Sequence, residues 1–199
     1  SDPEPSQRQA IESVLGMKTL ADNQAVAGQA DILVLAVKPQ IMAEVVRALA
    51  SALQAARPLV ISVAAGIRTA NLAQWVGTGL AVVRCMPNRP ALIGAGATGL
   101  YADASVGDAD RTLATLVLQS TGVALWVQKE SDIDLVTALS GSGPAYFFLL
   151  IEALEQAAKE FGVGAEEGIV LLQQRKPSRV GHLDAQAATV LAHLLDERL

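Results

Sequence analysis

Three short apolar runs restrict this chain more than any other feature: residues 31–37 (Asp-Ile-Leu-Val-Leu-Ala-Val), 59–64 (Leu-Val-Ile-Ser-Val-Ala) and 81–85 (Ala-Val-Val-Arg-Cys). Each is too short for a typical helix and continuous rather than alternating, which is the pattern of a strand buried on both faces of a parallel sheet. Each also stops at a small or turn-forming cluster, Val37-Lys38-Pro39, Ala64-Ala65-Gly66 and Met86-Pro87-Asn88. Between them the spacing predicts helices. Pro39 is pre-set to open one whose Ile41, Val45, Leu49 and Leu53 fall on a single stripe, and Thr69 is a candidate N-cap for a second before Leu72, Trp75 and Val76. Strand, helix, strand, helix, strand predicts an α/β fold with a doubly wound parallel sheet and right-handed crossovers. In such sheets ligands sit outside the carboxyl ends of the strands, so the three terminal clusters should line one crevice, with Lys38, Ala65 and Asn88 along one edge.

The flanking segments are shorter on information. Residues 7–15 predict a short helix stopped by Gly16, residues 17–20 a short strand, and Asn23 an N-cap for a brief helical turn. Downstream, residues 94–101 are Gly-rich and end in a strand, 108–120 form a helix, and 123–127 form a strand after Gly122. Ser131 and Asp134 have capping-box spacing for a helix running to Leu139.

Ser140-Gly-Ser-Gly-Pro-Ala-Tyr146 then joins two kinds of sequence. Two glycines between serines suit a tight turn with exposed N–H groups, and Pro144 suits the first turn of a new helix. Backbone donors at a helix start, beside two hydroxyls, make either a plain connection or a cradle for a carboxylate or phosphate. The new helix carries Phe147, Leu150, Ile151, Leu154, Ala158 and Phe161 on one stripe, with Glu152, Glu155 and Lys159 opposite, until Gly162 offers a stop.

Composition narrows the functional classes. Of 199 residues 51% are hydrophobic, enough for a sizeable core, and no apolar run on its own reaches the eighteen or so residues of a membrane span. One cysteine excludes an internal disulfide, and two histidines make a His/Cys metal cluster a poor expectation, so no metal is assigned. A net charge of −5 without a basic block argues against nucleic acid. A soluble cytoplasmic protein is the default expectation, with no membrane partner.

Taken in order, Leu35-Ala-Val-Lys-Pro39, Ser62-Val-Ala-Ala-Gly66, Val83-Arg-Cys-Met-Pro-Asn88 and Asp134-Leu-Val-Thr-Ala-Leu-Ser-Gly-Ser-Gly-Pro-Ala-Tyr146 closely resemble pyrroline-5-carboxylate reductase. The resemblance covers roughly residues 1–167. It implies a Rossmann-like NAD(P)H domain over 1–127, followed over 128–199 by the start of an all-helical domain through which subunits dimerise. It also implies hydride transfer from NADPH or NADH to the C=N carbon of 1-pyrroline-5-carboxylate, giving L-proline, the last step of proline synthesis. By position, Asn23, the loop Ala36, Val37, Lys38 and Pro39 and the turn Ala64, Ala65 and Gly66 resemble dinucleotide contacts, and Ser1 and Asp2 fall where the adenosine ribose is read. An acidic residue there accepts a bond from a free 2′-hydroxyl and repels a 2′-phosphate, yet many family members use NADPH, so both cofactors stay open. Asn88, Ser140, Gly141, Ser142 and Gly143 resemble the substrate and nicotinamide region, with no residue assigned to catalysis. Lys38 reads equally as a solvated charge, and Cys85 as a small core hydrophobe.

Three departures accompany the resemblance. The family opens with a strand and a Gly-rich pyrophosphate loop, so the chain reads as a core portion with the first βαβ unit absent and, alone, inactive or very weak. Arg89 stands where the family usually has Thr, and Gln173-Gln-Arg-Lys-Pro-Ser-Arg-Val-Gly181 replaces a substrate-binding Ser-Pro-Gly-Gly-Thr-like loop. From about 168 the C-terminus diverges, with an Ala/Leu helix expected over 183–199. Two alternatives accompany this expectation: a non-catalytic binding or assembly module using the apolar face of 147–161, and another imine or 2-hydroxyacid reductase of Rossmann type.

Overall fold

The structure, a computed structural model, describes residues 1–162. The expectations for 173–181 and 183–199 lie outside the described residues. Two small helices come first, α1 (Pro5–Leu15), closed by Gly16 in the left-handed region, and α2 (Asn23–Ala27). Strands and helices then alternate as β1 (Ile32–Leu35), α3 (Pro39–Ala56), β2 (Leu59–Ser62), α4 (Thr69–Val76) and β3 (Val82–Met86). A single 3-10 turn, Arg89–Ile93, leads to β4 (Gly96–Tyr101), followed by α5 (Asp108–Gln119) and β5 (Gly122–Trp126). The described chain ends in α6 (Asp132–Val136), a π-helical turn (Thr137–Ser142) and α7 (Gly143–Glu160).

The five strands form one sheet in the order β1-β2-β3-β4-β5. As expected, β1, β2 and β3 are parallel neighbours, in register through Leu35 opposite Ser62 and Ser62 opposite Arg84. The sheet is mixed rather than wholly parallel, because β4 runs antiparallel to β3 and β5 runs parallel to β4. The link between β3 and β4 is too short for a crossover, which takes a dozen residues or more, so the chain must turn back.

Helices cover both faces. On one, Leu33, Leu35 and Val60 pack with Met42, Val46, Leu49, Leu53 and Leu72 from α3 and α4; on the other, Ile61, Val83, Cys85 and Leu100 pack with Ala114 and Leu118 of α5. Two details of the expected burial differ. Strand β1 is an edge strand of the described sheet and leaves Val34 45% exposed, so it is not buried on both faces. The buried stripe of α3 is Met42, Val46, Leu49 and Leu53, one residue round from the expected one, and Ile41 is 46% exposed. Val46→Ala should therefore cost about 2 kcal/mol, from two lost methyl groups and the gap they leave. Ile41→Ala should stay within about 0.5 kcal/mol. Urea midpoints at an unchanged slope measure both, and equal costs would contradict this register.

Several terminal assignments also change. Residues 17–20 form no strand. Asp22, not Asn23, caps α2, its carboxylate accepting the Gln24 N–H at 2.8 Å, which leaves Asn23 as the first helical residue. Thr69 is likewise the first residue of α4 and Arg68 its cap, with Asn71 Oδ1 accepting the Arg68 N–H at 3.0 Å. Ser131 makes no side-chain cap for α6, because its own backbone is already helical (φ −60°, ψ −25°) and the Asp134 N–H donates to its carbonyl at 3.1 Å.

The largest correction falls on 140–143. The chain does not break there: Asp132–Glu160 is one 29-residue helix, and the Gly/Ser segment is a π turn inside it. Thr137 and Ser140 donate their hydroxyls to the carbonyls of Ile133 and Val136, at 2.9 and 3.0 Å, so both are satisfied by the helix's own backbone. A proline inside a helix has no N–H to donate and crowds the carbonyl four residues back; a widened turn just before Pro144 relieves both conflicts. By length and composition this helix could cross a membrane, with a mean hydropathy of 1.3 over its best window, a property hidden while it was read as two pieces.

Candidate active site at the carboxyl edge of the sheet

Because β1, β2 and β3 are parallel and in register, the turns that follow them emerge on one edge. After β1 come Ala36, Lys38 and Pro39, all exposed, with Val37 half-buried. The turn after β2 holds Ala64 in the core and turns Ala65 and Gly66 outward. Gly66 has φ +74°, and a Cβ there would meet nothing within 4 Å. The glycine is set by backbone conformation, and the space above it is open. Val63 N–H donates to Leu35 O at 3.2 Å, carrying the β1–β2 pairing to the mouth of both turns. Asn88, after β3, spends its side-chain oxygen on the Ala97 N–H at 2.8 Å and so ties this turn to β4.

The π turn arrives at the same edge. A Cβ on Gly141 would stand 3.3 Å from the Met86 methyl at the end of β3, so only glycine lets the helix approach this closely without displacing that side chain. The structure thus brings the Ala36–Pro39 loop, the Ala64–Gly66 turn, Asn88 and residues 140–143 to one end of the sheet. The segment is neither a plain connection between two helices nor an anion cradle at a helix start. The N–H groups of 140–143 lie within a continuous helix, and the Ser140 hydroxyl is turned back onto Val136. Ser142 alone of the two hydroxyls faces outward.

Two further expected contacts, Asn23 and Asp2, belong to the segment before β1. Asn23 starts α2, which is anchored by Gln24 Nε2 donating to Ala48 O at 3.3 Å, about 13 Å along α3 from Pro39 at the usual helical rise. Asp2 uses Oδ1 to accept the Glu4 N–H at 2.8 Å, and its own N–H donates to Leu20 O at 3.2 Å. Cys85 is buried in the α5-side core, and burial pushes its thiol up to about 12, so it stays protonated and inert at neutral pH. Two hollows among the described residues lie elsewhere: a small one of about 30 Å³ between the sheet and α3/α4, and an open groove of about 460 Å³ along α5 between Arg111 and Trp126.

One group beside the edge escaped the sequence reading. Arg84, in the middle of β3, is 1% exposed. Its Nη2 donates to Asp134 Oδ1 at 2.9 Å, and Nη1 stands 3.6 Å from Glu130 Oε1. Glu130 in turn accepts the Thr69 N–H at 2.7 Å and the Thr69 hydroxyl at 3.3 Å. Its carboxylate therefore occupies the positive end of α4. A lone arginine within an apolar run was the available signal, since a charge buried in a strand has to be paired.

Residues 130–191 match the family model described as pyrroline-5-carboxylate reductase dimerisation, and residues 1–66 match the model described as NADP oxidoreductase, coenzyme F420-dependent. The chain is 47% identical to a pyrroline-5-carboxylate reductase of Pseudomonas aeruginosa, over 83% of this chain and 60% of that relative. It is 37% identical to one of Corynebacterium melassecola, over 92% of this chain and 74% of the relative. It belongs to the pyrroline-5-carboxylate reductase family. A solved family structure from Coxiella burnetii superposes with a TM-score of 0.79 at 34% identity, covering 98% of this chain and 80% of that one. A second, the Plasmodium falciparum enzyme with NADP bound, gives 0.71 at 28% identity, covering 90% and 75%. The chain spans about three fifths of the length of the Pseudomonas relative.

Proposed function

We propose that the protein carrying this chain reduces 1-pyrroline-5-carboxylate to L-proline. A hydride passes from NADPH or NADH to the imine carbon and a proton reaches the nitrogen, leaving NADP⁺ or NAD⁺. The observation that carries this reading is the convergence of four family motifs on one sheet edge, in a chain whose relatives bear that enzyme's name. Residues 1–127 would be the dinucleotide-binding part and 128–199 the helical part.

The residues at the edge fit a dinucleotide. Ala65 and Gly66 present bare backbone beside open space, which suits close approach of a ligand, and Lys38 supplies a cation at the neighbouring turn. Ala36, Val37, Pro39 and Ala64 would shape that wall, with Asn23 and Asp2 as outer contacts towards the adenosine end. When bound, the reduced nicotinamide supplies the hydride. The chain's own part is to orient: Asn88, held by its bond to Ala97, and residues 140–143, held against Met86, would form the floor of the substrate region. Orientation of this kind is worth roughly 7 to 11 kcal/mol of barrier when complete.

The dimerisation match and the apolar stripe of α7 support a homo-oligomer, with that stripe between subunits rather than in lipid. A soluble cytoplasmic enzyme, without nucleic-acid or membrane partners, follows from this reading. The decisive experiment adds pyrroline-5-carboxylate to the whole protein that carries this chain with NADPH and, separately, NADH, following absorbance loss and proline formation. Substrate-dependent oxidation with matching proline is expected; neither event with either cofactor would overturn the proposal.

A further inference from the structure

We infer that Arg84 is a positioning residue that couples the turn after β2 to the helix carrying residues 140–143. The inference deepens the reading just given, and rests on it for the identity of the ligand at that turn, a reduced nicotinamide dinucleotide.

Three separate segments converge on this one side chain. Thr69 lies three positions beyond Gly66 and opens α4; its N–H and hydroxyl are both spent on Glu130. Glu130 faces Arg84 from the segment after β5, and Asp134 faces it from α6, three positions before the π turn begins. Arg84 stands between them on β3, with Val83 and Cys85 directed to the opposite face. A guanidinium is a rigid planar fork, so a displacement of one carboxylate is felt by the other.

Stability alone does not explain this arrangement, because a buried ion pair is weak evidence of net stabilisation and an apolar residue of similar size often serves as well. The contacts are also incomplete. Among the described residues, Nε and Nη1 of Arg84 are buried with no hydrogen-bond partner, and the Nη1 to Glu130 separation, 3.6 Å, is just beyond hydrogen-bond range. A small movement of the β2–α4 turn towards β3 would carry Thr69 and Glu130 with it and close that gap. The pair is thus poised to tighten when a ligand settles on Ala65 and Gly66. The tightening would be passed through Asp134 to the π turn beside Met86.

Hydrogen exchange followed by mass spectrometry on the full chain tests this, with and without saturating NADPH. In the wild type, NADPH should slow exchange about fivefold or more both in 64–70 and in 132–142, the lower end of typical coupling between sites. In Arg84→Lys, a point charge without the fork, the slowing should persist in 64–70 and vanish in 132–142. Without ligand, Arg84→Lys should speed exchange in both segments while α3 and α5 keep wild-type rates. Slowing that still reaches 132–142 in the variant would overturn the coupling. If NADPH changes nothing in the wild type, the dinucleotide reading fails, and the unliganded comparison then decides alone: a variant that loosens neither segment, or only one, sinks the inference. Should Arg84→Lys not fold, Glu130→Gln keeps the Arg84–Asp134 bond and carries the same expectation, slowing in 64–70 without slowing in 132–142.

Discussion

Gly122→Val should yield a chain that cannot keep β5 in the sheet. Gly122 opens β5 at φ +138°, a backbone conformation that side-chain-bearing residues rarely adopt. A Cβ placed there would fall onto the Gly96 carbonyl oxygen and stand 2.5 Å from its nitrogen and 2.7 Å from its carbonyl carbon. These are backbone atoms of the neighbouring strand, so no side chain can rotate aside. Gly96 is confined in turn, its own Cβ position lying 2.7 Å from Thr121 O and 2.8 Å from Ala91 Cα. Backbone strain costs about 1–3 kcal/mol and overpacking typically about 1–3 more, with β-branching at the unfavourable end of both. A loss of about 4 kcal/mol or more would remove much of the stability of an ordinary domain. Far-ultraviolet circular dichroism in urea measures it. Gly122→Ala should move the midpoint down by less than the valine does, and a valine variant with the wild-type midpoint would show that β4 and β5 are not this close.

The parallel half of the sheet was legible because continuous apolar runs and turn residues carry local information. Leu59–Ser62 is buried along its whole length, and its neighbours end where Pro39 and Pro87 require. The α3 stripe was less legible for a definite reason. Ile41 stands beside Met42 and Val45 beside Val46, so periodicity identified the helix but could not choose between two adjacent stripes that share Leu49 and Leu53. The reversal at β4 could have been read from the short link after Met86, which allows no crossover. Residues 140–143 misled because Gly-Ser-Gly-Pro is turn chemistry wherever it is read locally. What the fold adds is tertiary: Asp134 is pinned to β3 just before them and Gly141 lies against the Met86 methyl. For Arg84 the need for a partner was legible from a lone charge in an apolar run, but the partner was not, since Asp134 lies 50 positions away and only the folded sheet brings the two together.

The chain should associate with itself through α7, and the double variant Leu150→Glu, Leu154→Glu should abolish that association at micromolar concentration. None of the residues of α7 is buried among the described residues: Phe147 is 68% exposed, Leu150 56% and Leu154 41%, and Phe161, just past its end, is 87% exposed. They fall on one stripe, and an apolar stripe of this size is more than an isolated soluble chain tolerates. A symmetric pairing would let the same stripe cover itself, and each leucine taken from water contributes about 1.5–3 kcal/mol. Two carboxylates in their place forfeit that burial and must also be desolvated, so the dissociation constant should rise by about a hundredfold or more, equivalent to about 2.7 kcal/mol. The two introduced carboxylates, four positions apart on one face of the helix, would also repel each other. Light scattering coupled to size exclusion reads the outcome directly, and vesicle flotation separates it from partition into lipid, for which this helix has sufficient length and hydropathy. A wild-type chain that stays monomeric, or that leaves solution only with vesicles, would show that the stripe does not meet a second copy. An intact assembly in the double variant would place the contact on another face.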